Sequence, residues 1–315
     1  MHRALSDALS GVPLFFEPAP PSARTPPARV EERIAELVRL AKDVPRLDAI
    51  DVPELVDENH EGRPFYRSAD PRSYARAIGE RTGLEVIVNK VVAHVETASL
   101  ERWARETASG GLRHVVLVGG SSRYIPYPGP SVVEADRLCR PIVAGAGGLL
   151  GNIAIPQREG EAHRMLVKTR SGAAFFTTQL LFDSDAPIRM LGEYDRLCRQ
   201  AAIAPAAVVL SFAPLADEQD AAFVQWLGAD LPETAEREIL EGDEVAAGPR
   251  SVERAVAVWN EIRSATATAE LSVPIGANVE QISLRHLAVA KELLVSFAGI
   301  LPPAPEADPR EGRLR

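Results

Sequence analysis

The chain has few cysteines and no long hydrophobic run. Only two of its 315 residues are cysteine, which is too few for a disulfide framework or a cysteine-based metal site. The longest apolar stretches, near 141–151 and 201–216, are too short or too often broken by proline to span a bilayer. The segment up to Glu17 contains no h-region of a signal peptide. We therefore expect a cytoplasmic protein without a membrane segment.

Positive charge is also scarce. The chain has 35 Lys and Arg against 44 Asp and Glu, a net charge of −9, and no block of basic residues. Nucleic acids and anionic membranes are therefore unfavourable partners. With 46% hydrophobic and 25% charged residues, the composition is that of a soluble globular chain and excludes wholesale disorder. Nothing in it indicates an oligomeric state, so a homo-oligomer stays open.

Several common site motifs are missing. The six histidines have no HxxxH or HExxH spacing, so we expect no metal site. The sequence contains neither a Walker loop nor a nucleophile elbow. GAGGLLG (145–151) fails the dinucleotide-binding pattern because Leu150 stands at the third glycine position and a strand follows the motif.

Apolar runs rich in β-branched residues alternate with segments whose apolar residues recur at helical spacing. This alternation is typical of βα units around a parallel sheet. Eight runs predict strands, at 12–17, 47–52, 85–92, 114–120, 151–156, 173–181, 206–214 and 271–279. Helices are predicted at 29–43, 71–82, 96–108, 129–140, 160–171, 187–202 and 283–298, with several pieces within 217–265. The pattern favours an eight-stranded βα (TIM) barrel over an open doubly wound sheet.

The interval between the seventh and eighth strands is longer than the others. It predicts extra helices at 231–240 and 251–265. We assign residues 1–301 to a single barrel domain. Residues 302–315 are rich in proline and charge, and we expect this tail to be disordered.

In a βα barrel the active site lies at the C-terminal ends of the strands, so polar residues there are the candidates. Glu17 is the most informative of them, because it ends VPLFFE and precedes the stiff, apolar PAPP. Such surroundings disfavour an ionised carboxyl, which raises its pKa and suits it to general acid catalysis near neutral pH. The alternative is a strand-end glutamate paired with a surface arginine such as Arg24.

Two other segments carry candidate ligand contacts. In FFTTQLLFD the polar triplet containing Gln179 interrupts an apolar strand, and we favour a ligand-facing set over an internal polar network. Gly119, Gly120 and Ser121 follow the fourth strand and offer free backbone N–H groups where a phosphate fits. An ordinary tight βα turn is the alternative for these glycines.

These strand ends resemble those of the methylenetetrahydrofolate reductase family. FFEPAPPS (15–22) is similar to the family's first strand, which ends in Glu before a double proline, so Glu17 matches the proton-donating glutamate. TTQLLFD (177–183) resembles the strand whose glutamine contacts folate, and the resemblance gives Gln179 that role. With similar third and fourth strands, GLEVIV (83–88) and GLRHVVLV (111–118), the likeness covers about residues 12–299.

Two strand ends, with three substituted residues, depart from the flavin-dependent members. Their fourth strand ends in Arg-Gly-Asp, where this chain has Gly119, Gly120 and Ser121. A histidine that they place at the end of the third strand is replaced by Asn89. Three other segments resemble instead the flavin-independent actinobacterial reductases, which pass hydride directly from NADH to the folate: IPQREGE (155–161), WLGADLPE (226–233) and IGANVEQIS (275–283).

The resemblance implies reduction of 5,10-methylenetetrahydrofolate to 5-methyltetrahydrofolate, with NADH or NADPH as co-substrate, no metal, and FAD as an alternative that is not favoured. Glu17 would protonate N10 and open the ring to an N5 iminium that accepts hydride. We assign the tetrahydrofolate substrate to Gln179, Asn278, Glu280, Glu54 and Asn89. We assign the cofactor to Gly119, Gly120, Ser121, Arg158 and Lys168, the last matching a lysine near the flavin phosphates of the flavin enzymes.

Three alternatives stay open. One is a reductase that binds FAD in an altered pocket. Another is a catalytically silent folate-binding barrel, since folds outlast their chemistry. The third is a barrel lyase with a Schiff-base lysine, for which only Lys90 stands at a strand end.

Overall fold

The fold is a closed barrel of eight parallel strands, seen in a computed structural model that describes residues 3–59, 61–122 and 124–302. The barrel strands, in chain order, are β1 (Leu14–Glu17), β2 (Ala49–Val52), β5 (Glu85–Val91), β6 (His114–Val118), β7 (Leu150–Ala154), β8 (Phe175–Thr178), β9 (Ala207–Phe212) and β10 (Ile275–Glu280). Each pairs with the next, and β10 pairs with β1 to close the ring. The predicted TIM barrel and its eight strands are confirmed. The tail from residue 303 and Arg123 lie outside the described residues.

Helices alternate with these strands and cover the barrel. They are α1 (Leu5–Leu9), α2 (Pro27–Asp43), α3 (Pro71–Thr82), α4 (Thr97–Ser109), α5 (Val132–Gly145), α6 (Glu161–Ser171), α7 (Asp185–Gln200), α8 (Glu218–Trp226), α9 (Glu233–Leu240), α10 (Ala247–Thr268) and α11 (Leu287–Ile300). Helices α8, α9 and α10 lie between β9 and β10, which confirms the extra helices predicted there. Within the described ranges, none of the helices has the length and hydropathy that a membrane crossing requires.

The local sequence explains where several helices begin and end. Helix α3 starts at Pro71, whose ring fixes a helical φ, after the side chain of Asp70 caps it. It ends at Gly83, which adopts the left-handed conformation that favours glycine. Helix α5 starts three residues later than predicted because Ser131 and Glu134 form a reciprocal capping box there.

Two elements were not predicted. Helix α1 has only five residues, too few for a helical period to be legible. An antiparallel hairpin of two three-residue strands, β3 (Val56–Glu58) and β4 (Pro64–Tyr66), follows β2 and stands outside the barrel sheet. Its first strand has the same partial burial throughout, without the alternation that indicates a strand.

The barrel interior has an apolar floor below a polar layer. Side chains alternate along a strand, so residues two apart face the same side. On five strands the inward residue changes from apolar to polar toward the C-terminal end: Phe15 to Glu17, Ala49 to Asp51, Ile87 to Asn89, Phe175 to Thr177, and Val209 to Ser211. Leu5 and Leu9 of α1 join the floor cluster. The fold therefore supports a ring of polar groups on a packed apolar base.

Replacing Phe15 with Ala tests the floor. Phe15 is fully buried and packs edge-on against Phe175, with ring centroids 6.3 Å apart. We expect the free energy of unfolding in urea to fall by about 3–5 kcal/mol, because the substitution leaves a cavity. Phe65→Ala is the control, since Phe65 is 55% exposed on β4. Equal losses in the two variants would contradict the assignment of Phe15 to the core.

Candidate active site

Three carboxyl groups stand side by side at the C-terminal end of the barrel. Glu17 of β1 pairs in register with Glu280 of β10. On the other side of Glu17, the pairing of Phe16 with Ile50 brings Asp51 of β2 beside it. Asp51 is fully buried, and the two glutamates are half-buried. We call Glu17, Asp51 and Glu280 the carboxyl row.

Asn278 orients the central carboxyl of this row. Its Nδ2 donates to Glu17 Oε2 and to Ser211 Oγ, each at 3.1 Å. Asn278 lies one layer below Glu280 on β10 and is completely buried. The alternative pairing of Glu17 with Arg24 is wrong for the described residues, in which no ion pair joins the two. Glu17 is held by a neutral amide instead.

Burial makes the carboxyl row hard to ionise. It raises the pKa of Glu17 to about 7, against the opposing effect of the Asn278 hydrogen bond. Burial also raises the pKa of Asp51 and of Glu280 well above the usual range, and the charge of Glu17 raises both further. Like charges on neighbouring strands cannot all be ionised at low cost. Glu17 is thus an acid that holds a proton, and can release it, near neutral pH.

Other polar side chains near the barrel mouth have atoms without a hydrogen-bond partner. Among the described residues, Asn89 Oδ1, Asn278 Oδ1 and Thr177 Oγ1 are buried without a hydrogen-bond partner. The first two are acceptors that face the same space as the carboxyl row. Buried polar groups are normally paired in folded proteins, so these atoms suit a ligand with N–H or O–H donors.

Gln179 follows β8 directly, and the loop after β9 holds its side chain. Its Nε2 donates to the carbonyl oxygen of Leu227 at 3.2 Å, and its Oε1 accepts from the backbone N–H of Leu180 at 3.0 Å. The backbone N–H of Gln179 donates to Ala154 on the neighbouring strand. Gln179 therefore stands at the same end of the barrel as the carboxyl row, with both of its side-chain polar atoms bonded to backbone groups. The predicted ligand contact of Gln179 stays a prediction.

Glu54 is bonded elsewhere. One of its oxygens accepts from Lys90 Nζ at 2.6 Å and the other from the backbone N–H of Val91 at 2.8 Å. The ammonium group of Lys90 also lies over the rings of Tyr66 and Trp103. The geometry therefore gives no support to a substrate role for Glu54, or to Lys90 as a Schiff-base lysine.

A cavity of about 1150 Å³ opens at the C-terminal ends of β6 and β7, across the barrel ring from the carboxyl row. Its lining includes all five predicted cofactor residues: Gly119, Gly120, Ser121, Arg158 and Lys168. These residues come from the loops after β6 and β7 and from α6, so the fold joins positions up to about fifty residues apart in the chain. We call this space the loop cavity.

Three cations surround one acid at the edge of the loop cavity. Glu161 is almost fully buried, and its carboxylate lies 3.7–3.8 Å from nitrogens of Arg158, Arg164 and Lys168. Lys168 Nζ also donates to the carbonyl oxygen of Ile153, and burial lowers the pKa of Lys168. Arg158 precedes α6, Arg164 lies within it and Lys168 lies in its last turn. Against these three cations stand Glu161 and Glu159, which also lines the cavity, so a net positive charge remains at this wall and attracts anions.

Glu58 fastens the hairpin to the wall of the loop cavity. Its carboxylate accepts from Tyr127 Oη at 2.6 Å and from Ser121 Oγ at 2.8 Å, and it lies 2.9 Å from His94 Nε2. Burial alone would raise the pKa of Glu58, but these hydrogen bonds lower it. The ring of Tyr127 lies against Gly120, where a Cβ would overlap it. The turn after β6 thus needs both the glycine and the Glu58 contact.

Asp217, Asp220 and His286 form a separate group that ties the loop after β9 to the loop after β10. His286 Nδ1 lies 2.8 Å from Asp220 Oδ2, and Arg285 donates to Asp217 Oδ2 at 3.0 Å. Their donor atoms are close enough to share a cation. Arg285 already supplies a positive charge there, so we assign this group a structural role in holding the two loops together.

Sequence reasoning missed some of these residues. Asp51 was assigned no role, although it stands near a predicted strand end, two residues after Ala49. Arg164 stands four residues before Lys168, the spacing of one helix face. Glu58 gave no signal, because its partners lie far along the chain and meet only in the fold.

Comparisons with known proteins agree with this architecture. A family model described as mycobacterial methylenetetrahydrofolate reductase matches residues 24–280, beginning after Glu17 and ending at Glu280. No curated protein matches the chain significantly. Among solved structures, the chain is similar to one described as an uncharacterized protein from Clostridium thermocellum that binds two copies of 5-methyl-5,6,7,8-tetrahydrofolic acid. The two are 17% identical, with a TM-score of 0.76 over 92% of this chain and 96% of the other. At this identity the likeness shows the barrel fold.

The carboxyl row predicts a stability that falls as pH rises. Groups with raised pKa values in the folded state stabilise it fully below their unfolded pKa, and this stability is lost as pH rises through the folded pKa. We expect the Tm to fall between about pH 5 and pH 8, and Glu280→Gln to reduce that fall. Thermal unfolding across this range measures it, with Glu80→Gln on the exposed side of α3 as the control. If Tm fell with pH as steeply in Glu280→Gln as in wild type, the assignment of Glu280 to the carboxyl row would be contradicted.

Proposed function

Because the chain belongs to the mycobacterial methylenetetrahydrofolate reductase family, we propose that it reduces 5,10-methylenetetrahydrofolate to 5-methyltetrahydrofolate by direct hydride transfer from NADH or NADPH. The observation that carries the proposal is Glu17, whose pKa of about 7 and bond to Asn278 make it an oriented acid in the barrel mouth. The structural neighbour's 5-methyltetrahydrofolic acid is the product of this reaction.

The reaction needs one proton and one hydride. The five-membered ring of the substrate bridges N5 and N10, and protonation of N10 by Glu17 breaks the bond from N10 to the bridging carbon. The resulting N5 iminium accepts hydride from the nicotinamide and becomes N5-methyl. An acid with a pKa near the working pH gives the best compromise between holding and donating the proton. Glu17 then recovers its proton from water.

The substrate contacts proposed here are Gln179, Asn278, Glu280 and Asn89. Asn89 and Asn278 each have an acceptor oxygen without a partner among the described residues. Gln179 is fixed by the carbonyl oxygen of Leu227. Side chains held in this way lose little entropy when a ligand binds, which favours precise orientation.

NAD(P)H is the proposed occupant of the loop cavity. The cations Arg158, Arg164 and Lys168 suit the two phosphates of a dinucleotide, and the glycines at 119 and 120 allow close approach of the backbone. A nucleotide anchored there has its nicotinamide free to extend toward the carboxyl row. Positioning of the two rings is then the second main contribution to the rate.

FAD in the same cavity is the second candidate. The three cations suit its diphosphate equally well, and the volume of about 1150 Å³ gives it room. FAD would supply a bound redox carrier between NAD(P)H and the folate. The proposal favours direct transfer because Gly119 and Ser121 stand where the flavin enzymes have Arg and Asp, and Asn89 replaces their histidine.

Glu17→Gln tests the proton donor. The substitution keeps the side-chain size and the Asn278 neighbourhood but removes the acid. We expect turnover of methylenetetrahydrofolate to fall by about 10²–10⁴-fold, with a small change in KM for NADH. NADH oxidation at saturating folate measures it, and Glu80→Gln is the matched control on an exposed surface. Turnover that survives within a few-fold would remove Glu17 from the mechanism.

Arg164→Gln tests the nucleotide site. We expect the KM for NAD(P)H to rise about tenfold or more, because a charge-assisted hydrogen bond to phosphate is lost. The KM for the folate should stay the same. Arg170→Gln removes the same charge from the other end of α6, where Arg170 does not line the cavity. Equal effects of the two variants would point to overall charge and away from a local phosphate contact.

A further inference from the structure

Asp51 is the fully buried acid of the carboxyl row. It lies near the end of β2, two residues after Ala49, which belongs to the interior floor. The exposed fraction of its side chain is 0%, and neither Oδ1 nor Oδ2 has a hydrogen-bond partner within the described part of the chain. Burying such a group costs free energy unless something pairs with it.

The other fully buried aspartates of the described chain are all paired. Asp48 accepts from two arginines and a backbone N–H. Asp136 accepts from an asparagine and a serine. Asp195 accepts from the backbone N–H and the hydroxyl of a serine and forms an ion pair with an arginine, and Asp220 lies beside a histidine and accepts from a backbone N–H. These four have structural roles that their partners explain. Asp51 is the exception, so its burial calls for a ligand.

The neighbours of Asp51 define what that ligand must offer. Glu17 stands on one side, on β1, and Glu280 lies beyond it. On the other side, Asn89 of β5 presents an unpartnered Oδ1 one layer nearer the mouth. Lys90 is already bonded to Glu54. The space thus has several acceptors and no free cation among the described neighbours, which suits a ligand edge with two or more N–H donors.

We propose that Asp51 binds the N–H donor edge of the substrate's pterin ring, with its two oxygens accepting from the ring N3–H and the 2-amino group. This inference rests on the proposed function, which supplies a pterin. Asp51 releases its proton to solvent as the edge binds, because only the ionised form accepts at both oxygens, and the N–H donors of the edge stabilise that form. The carboxylate and the amino-pyrimidinone edge then form two parallel hydrogen bonds, the same two-point geometry that arginine forms with carboxylates. Because Asp51 and Glu17 lie on adjacent strands, this binding holds the folate beside its proton donor.

Asp51→Asn tests the proposal, since it keeps the shape but replaces one acceptor with a donor. We expect binding of 5-methyltetrahydrofolate, measured by isothermal titration calorimetry, to weaken about 10- to 100-fold. The KM for NAD(P)H should be unchanged. The Tm should be equal to or higher than that of wild type, because a buried ionisable group has been removed. Asp51→Ser repeats the measurement with a smaller side chain.

Asp57→Asn is the matched control, because Asp57 lies on the nearby hairpin and pairs with Arg67. Two results would overturn the inference alone: unchanged folate affinity in both Asp51 variants, or a lower Tm together with weaker binding of both ligands, which marks a structural role. Wild-type protein that binds no folate would overturn the proposed function as well.

Discussion

The carboxyl row exists because the barrel forces three acids onto neighbouring strands above an apolar floor. Strand pairing fixes Glu17 between Glu280 and Asp51, and the packed interior below excludes water from beneath them. Removal from water raises the pKa of each group, and mutual repulsion adds to the effect. The strands have little freedom to separate these groups. The raised pKa of Glu17 therefore depends on the barrel fold as well as on the residue type.

The proposed chemistry involves two regions, the carboxyl row and the loop cavity. The carboxyl row holds a proton, while the loop cavity at the ends of β6 and β7 has a cationic edge and glycine turns suited to a nucleotide. Glu58 connects the hairpin after β2 to the turn after β6, and so fixes one wall of that cavity. Each region has its own electrostatic character, negative or neutral in the barrel mouth and positive at α6. A reaction that takes a proton from one region and a hydride from the other fits this division.

Much of the fold was predictable because barrel strands have strong local signals. All eight strands were found, and the family expectation carried by Glu17 and Gln179 agrees with the family to which the chain belongs. Helix α1 and the hairpin were missed because they are short. Glu54 was assigned to the substrate as an acceptor near a strand end, yet Lys90, thirty-six residues along the chain, binds it. Hydrophobic periodicity gives no information on contacts between residues far apart in the chain. Those contacts decide which acidic side chains already have a partner and which can bind a ligand.

Direct hydride transfer is the central claim, and isotope transfer tests it most directly. The protein is purified without added flavin, and its visible spectrum is recorded before reaction with methylenetetrahydrofolate and NADH deuterated at the transferred position. We expect a colourless protein that oxidises NADH only when the folate is present, with one deuterium per turnover in the product methyl group. A flavin band that NADH alone bleaches, together with loss of the label to solvent, would contradict it.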